Sequence, residues 1–202
     1  YIISDSFVIP NNYKNYSEKI IFLTDCYYPR DDNRKISQKK YKREDFDIPK
    51  NSFVFSSFNN SYKITKEEFE IWMNLLKEVK NSILLLLAPD EITRSNLLKE
   101  ASKKNIKSNR LIFLDQTNFE DHLARHSLAD LFLDSFNCNA HTSAVDALWA
   151  GLPILTKVGN SFSSRICGSL LSYFNLDSLI SKNKEEYFNM GVELATNPEK
   201  YK

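Results

Sequence analysis

Glycine is scarce, with four residues in a chain of 202. Neither GxGxxG nor GxxxxGKS/T occurs, so a glycine-cradled dinucleotide site and a P-loop are both excluded. Cysteine is equally sparse. Cys26, Cys138 and Cys167 are odd in number and far apart, which fits neither a disulfide framework nor a zinc pattern and points to a reducing, cytoplasmic location. No apolar stretch reaches the roughly 18 to 20 residues of a membrane-spanning helix, so no membrane partner is expected. A surplus of charge is missing too: 27 Lys and Arg stand against 26 Asp and Glu, a net charge of +1. That balance creates no field to gather nucleic acid. The opening YIISDSFVIP has no basic segment, no long apolar run and no initiator Met, so the chain reads as a piece of something longer.

What is present is a regular alternation. From about residue 50, short runs of Val, Ile, Leu and Phe alternate with longer segments of helical spacing, the pattern of βαβ units. Five parallel strands are expected at Phe53 to Ser57, Ile83 to Ala88, Leu111 to Leu114, Asp130 to Asp134 and Pro153 to Thr156. Each is apolar nearly throughout, as a strand covered on both faces must be. Phe69, Trp72, Leu75, Leu76 and Val79 recur at helical steps behind a Thr65–Glu68 capping box. Further helices are expected over Ile92 to Lys104, Phe119 to His126, Thr142 to Ala150, Ser163 to Phe174 and Lys184 to Ala195, with Gly151 and Pro153 stopping the fourth of the chain's six. The fold class is α/β, a mainly parallel sheet flanked by helices.

Residues 1–50 read differently, as an extended lead-in with two short strands, Tyr1 to Ser4 and Ile20 to Thr24. The basic run from Arg34 to Arg43 is interleaved with Ser, Gln and Tyr, which favours a solvated loop over a nucleic-acid patch.

In an open parallel sheet, ligands bind beyond the carboxyl ends of the strands. The residues there are polar: Ser56 to Lys63 after the first strand, Asp115 to Thr117 with His122 and Arg125 after the third, Asn137 to Ser143 with Asp146 after the fourth. His141-Thr142-Ser143 falls at a helix start, where free N–H groups and hydroxyls suit a phosphate and where Thr142 could equally serve as a plain cap. Taken alone, Lys63 reads as a solvated lysine, and His122 with Arg125 as an ordinary exposed helix face. Asp146 suits either a ribose hydroxyl or a helix-surface ion pair. His126 is expected to be exposed, and Phe58, Tyr62, Trp72 and Trp149 to be core.

Together, FNNSYKI, IWMNLLKEVKNSILLLL, EDHLARHSLADLFLD, NAHTSAVDALWAGLPILT and SFSSRICGSLL resemble the C-terminal catalytic half of the O-linked N-acetylglucosaminyltransferases, the family of the plant SPINDLY proteins and many bacterial tetratricopeptide-repeat (TPR) proteins. The resemblance covers essentially the whole chain. It implies the Rossmann-like C-terminal lobe of a GT-B glycosyltransferase over residues 51–202, with 1–50 leading in from a preceding lobe. The implied activity is transfer of GlcNAc from UDP-GlcNAc to Ser or Thr of proteins, with inversion and without a metal or cofactor. The implied partners are the UDP-sugar, a protein acceptor, the upstream lobe and TPR repeats.

Carried over by position, Asn60 lies near the donor phosphates and Lys63 is the catalytic residue that stabilises the diphosphate leaving group. Thr117, His122 and Arg125 meet the uracil, His141, Thr142 and Ser143 hold the pyrophosphate, and Asp146 binds the ribose. Three positions depart from the family pattern: Phe119 for a ribose-contacting Lys, Asn60 for Gln and Ser143 for Thr. The alternatives are a related protein N-glucosyltransferase using UDP-glucose and a nucleotide-sugar-binding module without catalysis. Either enzyme needs the other lobe, so the isolated fragment is expected to hold UDP but transfer no sugar.

Overall fold

The structure is a computed structural model that describes residues 1–10, 16–29 and 31–197. Two parallel strands, β1 (Ile2–Asp5) and β2 (Ile20–Leu23), form a small sheet of their own. The body follows in strict alternation: β3 (Phe53–Ser57), α1 (Lys66–Glu78), β4 (Ser82–Leu87), α2 (Glu91–Lys103), β5 (Leu111–Leu114), α3 (Phe119–Arg125), β6 (Leu131–Leu133), α4 (Thr142–Trp149), β7 (Ile154–Lys157), α5 (Ile166–Tyr173), β8 (Ile180–Ser181) and α6 (Lys184–Thr196). The five expected strands are all present, and β8 adds a sixth at the edge. The sheet order is β5-β4-β3-β6-β7-β8, and every pairing is parallel.

That order contains one reversal. The chain winds outward from β3 through β4 to β5, returns to β6 beside β3, and winds outward the other way. The carboxyl ends of β3 and β6 therefore flank the switch point, where a crevice must open.

Side-chain alternation divides the core into two layers. Val54, Ile83, Leu85, Phe132 and Ile154 pack against Ala144 and Ala147 of α4 and Cys167 and Leu171 of α5. Their neighbours Phe55, Leu84, Leu86, Leu131 and Leu155 face Trp72, Met73 and Leu75 of α1 and Tyr187 of α6. A fully buried large apolar side chain contributes about 1.5–3 kcal/mol, so tertiary packing rather than propensity holds α1. Its capping box forms as expected: Thr65 N donates to Glu68 Oε2 at 2.7 Å and Glu68 N to Thr65 Oγ1 at 3.4 Å. The stop after α4 is equally legible. Gly151 takes φ 79°, and Leu152 N reaches back to Ala147 O at 2.8 Å, closing a Schellman turn.

The basic run is the loop expected, with Lys35, Lys39, Lys40 and Lys42 exposed, but it is pinned at both ends. Its first residue, Arg34, has a side chain 6% exposed. Near its far end, Arg43 grips both oxygens of Asp130 at 2.8 Å and also donates to the carbonyls of Leu128 and Ser52. Between them Ser37 N donates to Glu120 O at 3.2 Å, so residues 27–29 and 31–43 lie as a strap along α3 and α4. Three expectations are corrected. Tyr62 is 80% exposed and Trp149 40% exposed rather than core, while His126 is buried because Phe58 and His122 close over it. All three cysteines are free, and no helix among the described residues is long and apolar enough to cross a membrane.

Candidate functional site

The loops after β3 and β6 meet at the switch point and are tied together there. Lys63 Nζ donates to Asn139 O at 3.0 Å, and Asn59 Nδ2 donates to Ser135 Oγ at 3.2 Å. Lys63 stands in a short 3-10 turn, Ser61–Lys63, whose first bond runs from Lys63 N to Asn60 O at 3.0 Å. The Asn60 side chain is exposed and makes no capping bond.

Two buried carboxylates that the sequence reading did not single out shape this region. Asp134, at the end of β6, accepts Ser135 N at 2.8 Å and Ala140 N at 2.6 Å on one oxygen, and Thr156 Oγ1 at 2.6 Å on the other. Burial pushes its carboxyl up to about 6, while these donors pull it back. Glu68 is completely buried; beyond the capping box its second oxygen accepts Phe136 N. Between them they fold residues 135–140 into a fixed arch that delivers His141, Thr142 and Ser143. The signal for Glu68 was present in the capping box, whereas Asp134 looked like the end of an apolar strand.

The structure separates the two readings of Thr142. It is the first residue of α4 rather than its cap, and no side chain caps that helix; His141 occupies the cap position. The N–H groups of the first α4 turn and the helix dipole therefore face the crevice, on the same side as Lys63. Thr142 Oγ1 lies 3.0 Å from the hydroxyl of Tyr28 in the strap, whose ring meets the His141 ring at 6.1 Å. Burial, reinforced by the Lys63 charge, lowers the His141 pKa and keeps the imidazole neutral at pH 7. Its Nε2 is buried with no hydrogen-bond partner among the described residues.

On the other flank, α3 does not present the ordinary exposed face its spacing suggested. Arg125 is 5% exposed and donates to Asp115 O at 2.9 Å, while its Nε and Nη2 have no partner. His122 is half-buried against Phe58 at 5.7 Å and His126 at 4.9 Å. Burial lowers its pKa, aided by the Arg125 charge and opposed by Asp146. Thr117 is exposed in the loop before α3. Asp146, one turn into α4, is buried in an ion pair with Arg34 of the strap.

Contacts link most of the site residues expected from sequence: Lys63 reaches the loop before α4 and its charge acts on His141, and Asp146 of α4 and Arg125 act on His122 of α3, while Asn60 and Thr117 follow β3 and β5 on the same side of the sheet. Such an arrangement can neutralise a dianionic group at one end and stack and hydrogen-bond a planar group at the other. Tyr28 and Arg34 were missed, because nothing local marks a residue whose partners lie 114 and 112 positions away.

Comparison with known proteins agrees. The family model described as glycosyl transferase family 41 matches residues 36–202. The chain is 35% identical over 207 residues to a probable UDP-N-acetylglucosamine–peptide N-acetylglucosaminyltransferase, SEC, of Arabidopsis thaliana, covering 99% of this chain and 21% of that protein. It is 32% identical over 154 residues to the UDP-N-acetylglucosamine–peptide N-acetylglucosaminyltransferase of Caenorhabditis elegans, covering 76% of this chain and 13% of the relative. Among solved structures, a lysine-to-methionine mutant of the Thermobaculum terrenum O-GlcNAc transferase superimposes with a TM-score of 0.86 at 25% identity, over 100% of this chain and 38% of that one. UDP-GlcNAc 2-epimerase of Neisseria meningitidis shares the fold alone, with a TM-score of 0.56 at 13% identity over 79% of this chain and 40% of that one. The chain spans about a fifth of the length of the Arabidopsis relative.

Proposed function

This chain belongs to glycosyl transferase family 41, with the Rossmann-like fold of a GT-B lobe, and from that premise we propose that it is the donor-binding part of an inverting protein O-GlcNAc transferase. The longer enzyme moves GlcNAc from UDP-GlcNAc to Ser or Thr of cytoplasmic proteins. Residues 51–202 form the UDP-sugar lobe, residues 1–50 lead in from a preceding lobe, and TPR repeats precede that lobe.

The observation that carries this reading is the juxtaposition of Lys63 with the uncapped start of α4 across the switch point. When the glycosidic bond breaks, negative charge grows on the β-phosphate of departing UDP. Lys63, the backbone N–H groups of Thr142 and Ser143 and the α4 dipole supply fixed positive potential there, the term that typically dominates such catalysis. His141 and Asn60 border the diphosphate. His122, Arg125 and Thr117 take the uracil, with Arg125 offering donors that have no partner among the described residues. Asp146 takes the ribose. No metal enters this scheme.

Full-length protein incubated with radiolabelled UDP-GlcNAc and a Ser/Thr-rich peptide should transfer label, and residues 1–202 alone should not. The acceptor lobe lies outside this chain, and its own histidines, His122, His126 and His141, all sit on the donor side. UDP should bind more tightly than ADP or GDP by calorimetry. Equal affinity for the three would overturn the donor assignment, and transfer by the fragment alone would overturn the two-lobed mechanism. Transfer of glucose from UDP-glucose to Asn instead would establish the N-glucosyltransferase, and binding without transfer by the full-length protein the non-catalytic module.

A further inference from the structure

Arg34 is held in a way that an ion pair alone does not require. Its guanidinium lies 5.0 Å over the Trp149 ring and 6.0 Å from the Phe119 ring. Nη1 bonds Asp146, Nε donates to Asp31 O at 3.1 Å, and Trp149 Nε1 fastens the Arg34 carbonyl at 3.2 Å. The orientation is fixed from both ends, yet Nη2 is buried and has no hydrogen-bond partner among the described residues. A donor left so in a side chain 6% exposed costs free energy unless something accepts from it.

We propose that Arg34 is a ribose-reading residue: Nη2 donates to a ribose hydroxyl oxygen while that hydroxyl donates to Asp146. The inference rests on the donor-site reading above. The chemistry selects the ligand group. A guanidinium neutralised by its carboxylate carries little net charge, so it suits a neutral hydroxyl better than a phosphate, whereas Lys63 at the other end is positioned for the phosphates. A hydroxyl also satisfies both members at once, donating to the carboxylate and accepting from the guanidinium. The two flanking rings hold the fork in place before the ligand arrives, so little ordering is needed on binding. The strap thereby contributes nucleotide specificity to a lobe whose sheet and helices supply the rest of the site.

The test is calorimetry on the full-length protein with UDP, 2′-deoxy-UDP and 3′-deoxy-UDP, comparing wild type with Arg34→Met and Arg34→Lys. Wild type should bind at least one deoxynucleotide about tenfold more weakly than UDP, the scale of a hydrogen bond to a charged group. In Arg34→Met only the bond to Asp146 remains, so that gap should shrink to about threefold. Arg34→Lys restores a charge beside Asp146 but not the second donor of the fork, so it should recover thermal stability and leave the gap narrowed; it also serves if the Met variant fails to fold. A full gap retained in a folded variant, or no gap in wild type that binds UDP, overturns the inference and leaves the donor site standing. Wild type that fails to bind UDP overturns the donor site and the inference with it.

Discussion

On the β3 and β6 flank of the crevice, polar groups are committed to one another before any ligand arrives: Asp134 and Glu68 hold the arch, and Lys63 holds Asn139. That flank also keeps open atoms, Ser56 and Ser57 Oγ, Asn59 and Asn139 Oδ1 and His141 Nε2, but its backbone arch is held by carboxylates, whereas the open atoms of the α3 flank are mainly guanidinium donors. Arg125 Nε and Nη2 are buried donors with no partner among the described residues, and Thr117 lies exposed. Arg34, arriving from the strap, adds a further unpartnered donor. The difference suits the two tasks proposed for the site. A flank that must stabilise charge appearing only as a bond breaks gains from dipoles fixed during folding, because no reorganisation is then needed at the moment of reaction. A flank that must recognise a nucleoside instead keeps donors waiting for acceptors that only the right ligand supplies.

Breaking the committed flank should have the largest effect. Asp134→Ala removes the acceptor of two buried backbone N–H groups and of Thr156. With about 1–3 kcal/mol for each buried donor left unsatisfied, stability should fall by about 3–5 kcal/mol. Thr117→Ala on the exposed side should change it by less than about 0.5 kcal/mol. Urea titrations of both variants read the contrast directly, and equal midpoints would show that the arch is not wired as described.

Lys63→Ala comes next and probes chemistry rather than folding. In the full-length enzyme, turnover should drop on the order of a hundredfold, about 2.7 kcal/mol, while donor affinity weakens much less. The charge that Lys63 meets grows as the glycosidic bond breaks, which is why kcat should suffer more than binding. A variant with unchanged turnover would return Lys63 to the solvated surface.

Much of the body was legible in the sequence, and the reason is local. Strands such as Ser82–Leu87 are buried along nearly their whole length, so their apolar runs stand out, and the Thr65–Glu68 box and Gly151 mark helix ends in a few adjacent letters. β8 escaped because its two residues pair only with β7 and carry no apolar run. The site was legible where it follows strand ends and illegible where it depends on the strap. Helical spacing correctly put His122 and Arg125 on one face, yet whether that face is buried is decided by Phe58 and by packing from elsewhere in the chain. Resemblance to a family nominated donor residues but said nothing of Arg34, and the aromatic character of Tyr62 and Trp149 was mistaken for burial.

The smallest effect concerns pH and compares the two flanks within one experiment. His126 lies beneath His122, with Nδ1 3.0 Å from the His122 carbonyl, and burial lowers its pKa from the ordinary 6.5 to about 4. As pH falls below 6.5, the unfolded chain takes up a proton that the folded protein refuses until about pH 4, so this residue costs stability across that window. Asp134 acts oppositely. With its carboxyl pushed up to about 6 from 3.8, the folded state protonates first, and stability rises as pH falls through that range. In wild type the two partly cancel. His126→Gln removes one of them, so between pH 7 and pH 4.5 the stability of the variant should improve relative to wild type by about 2 kcal/mol. Urea titrations at the two pH values supply the number. A difference that stays constant would mean that His126 titrates normally, and the recognition flank would then be open to solvent at its base.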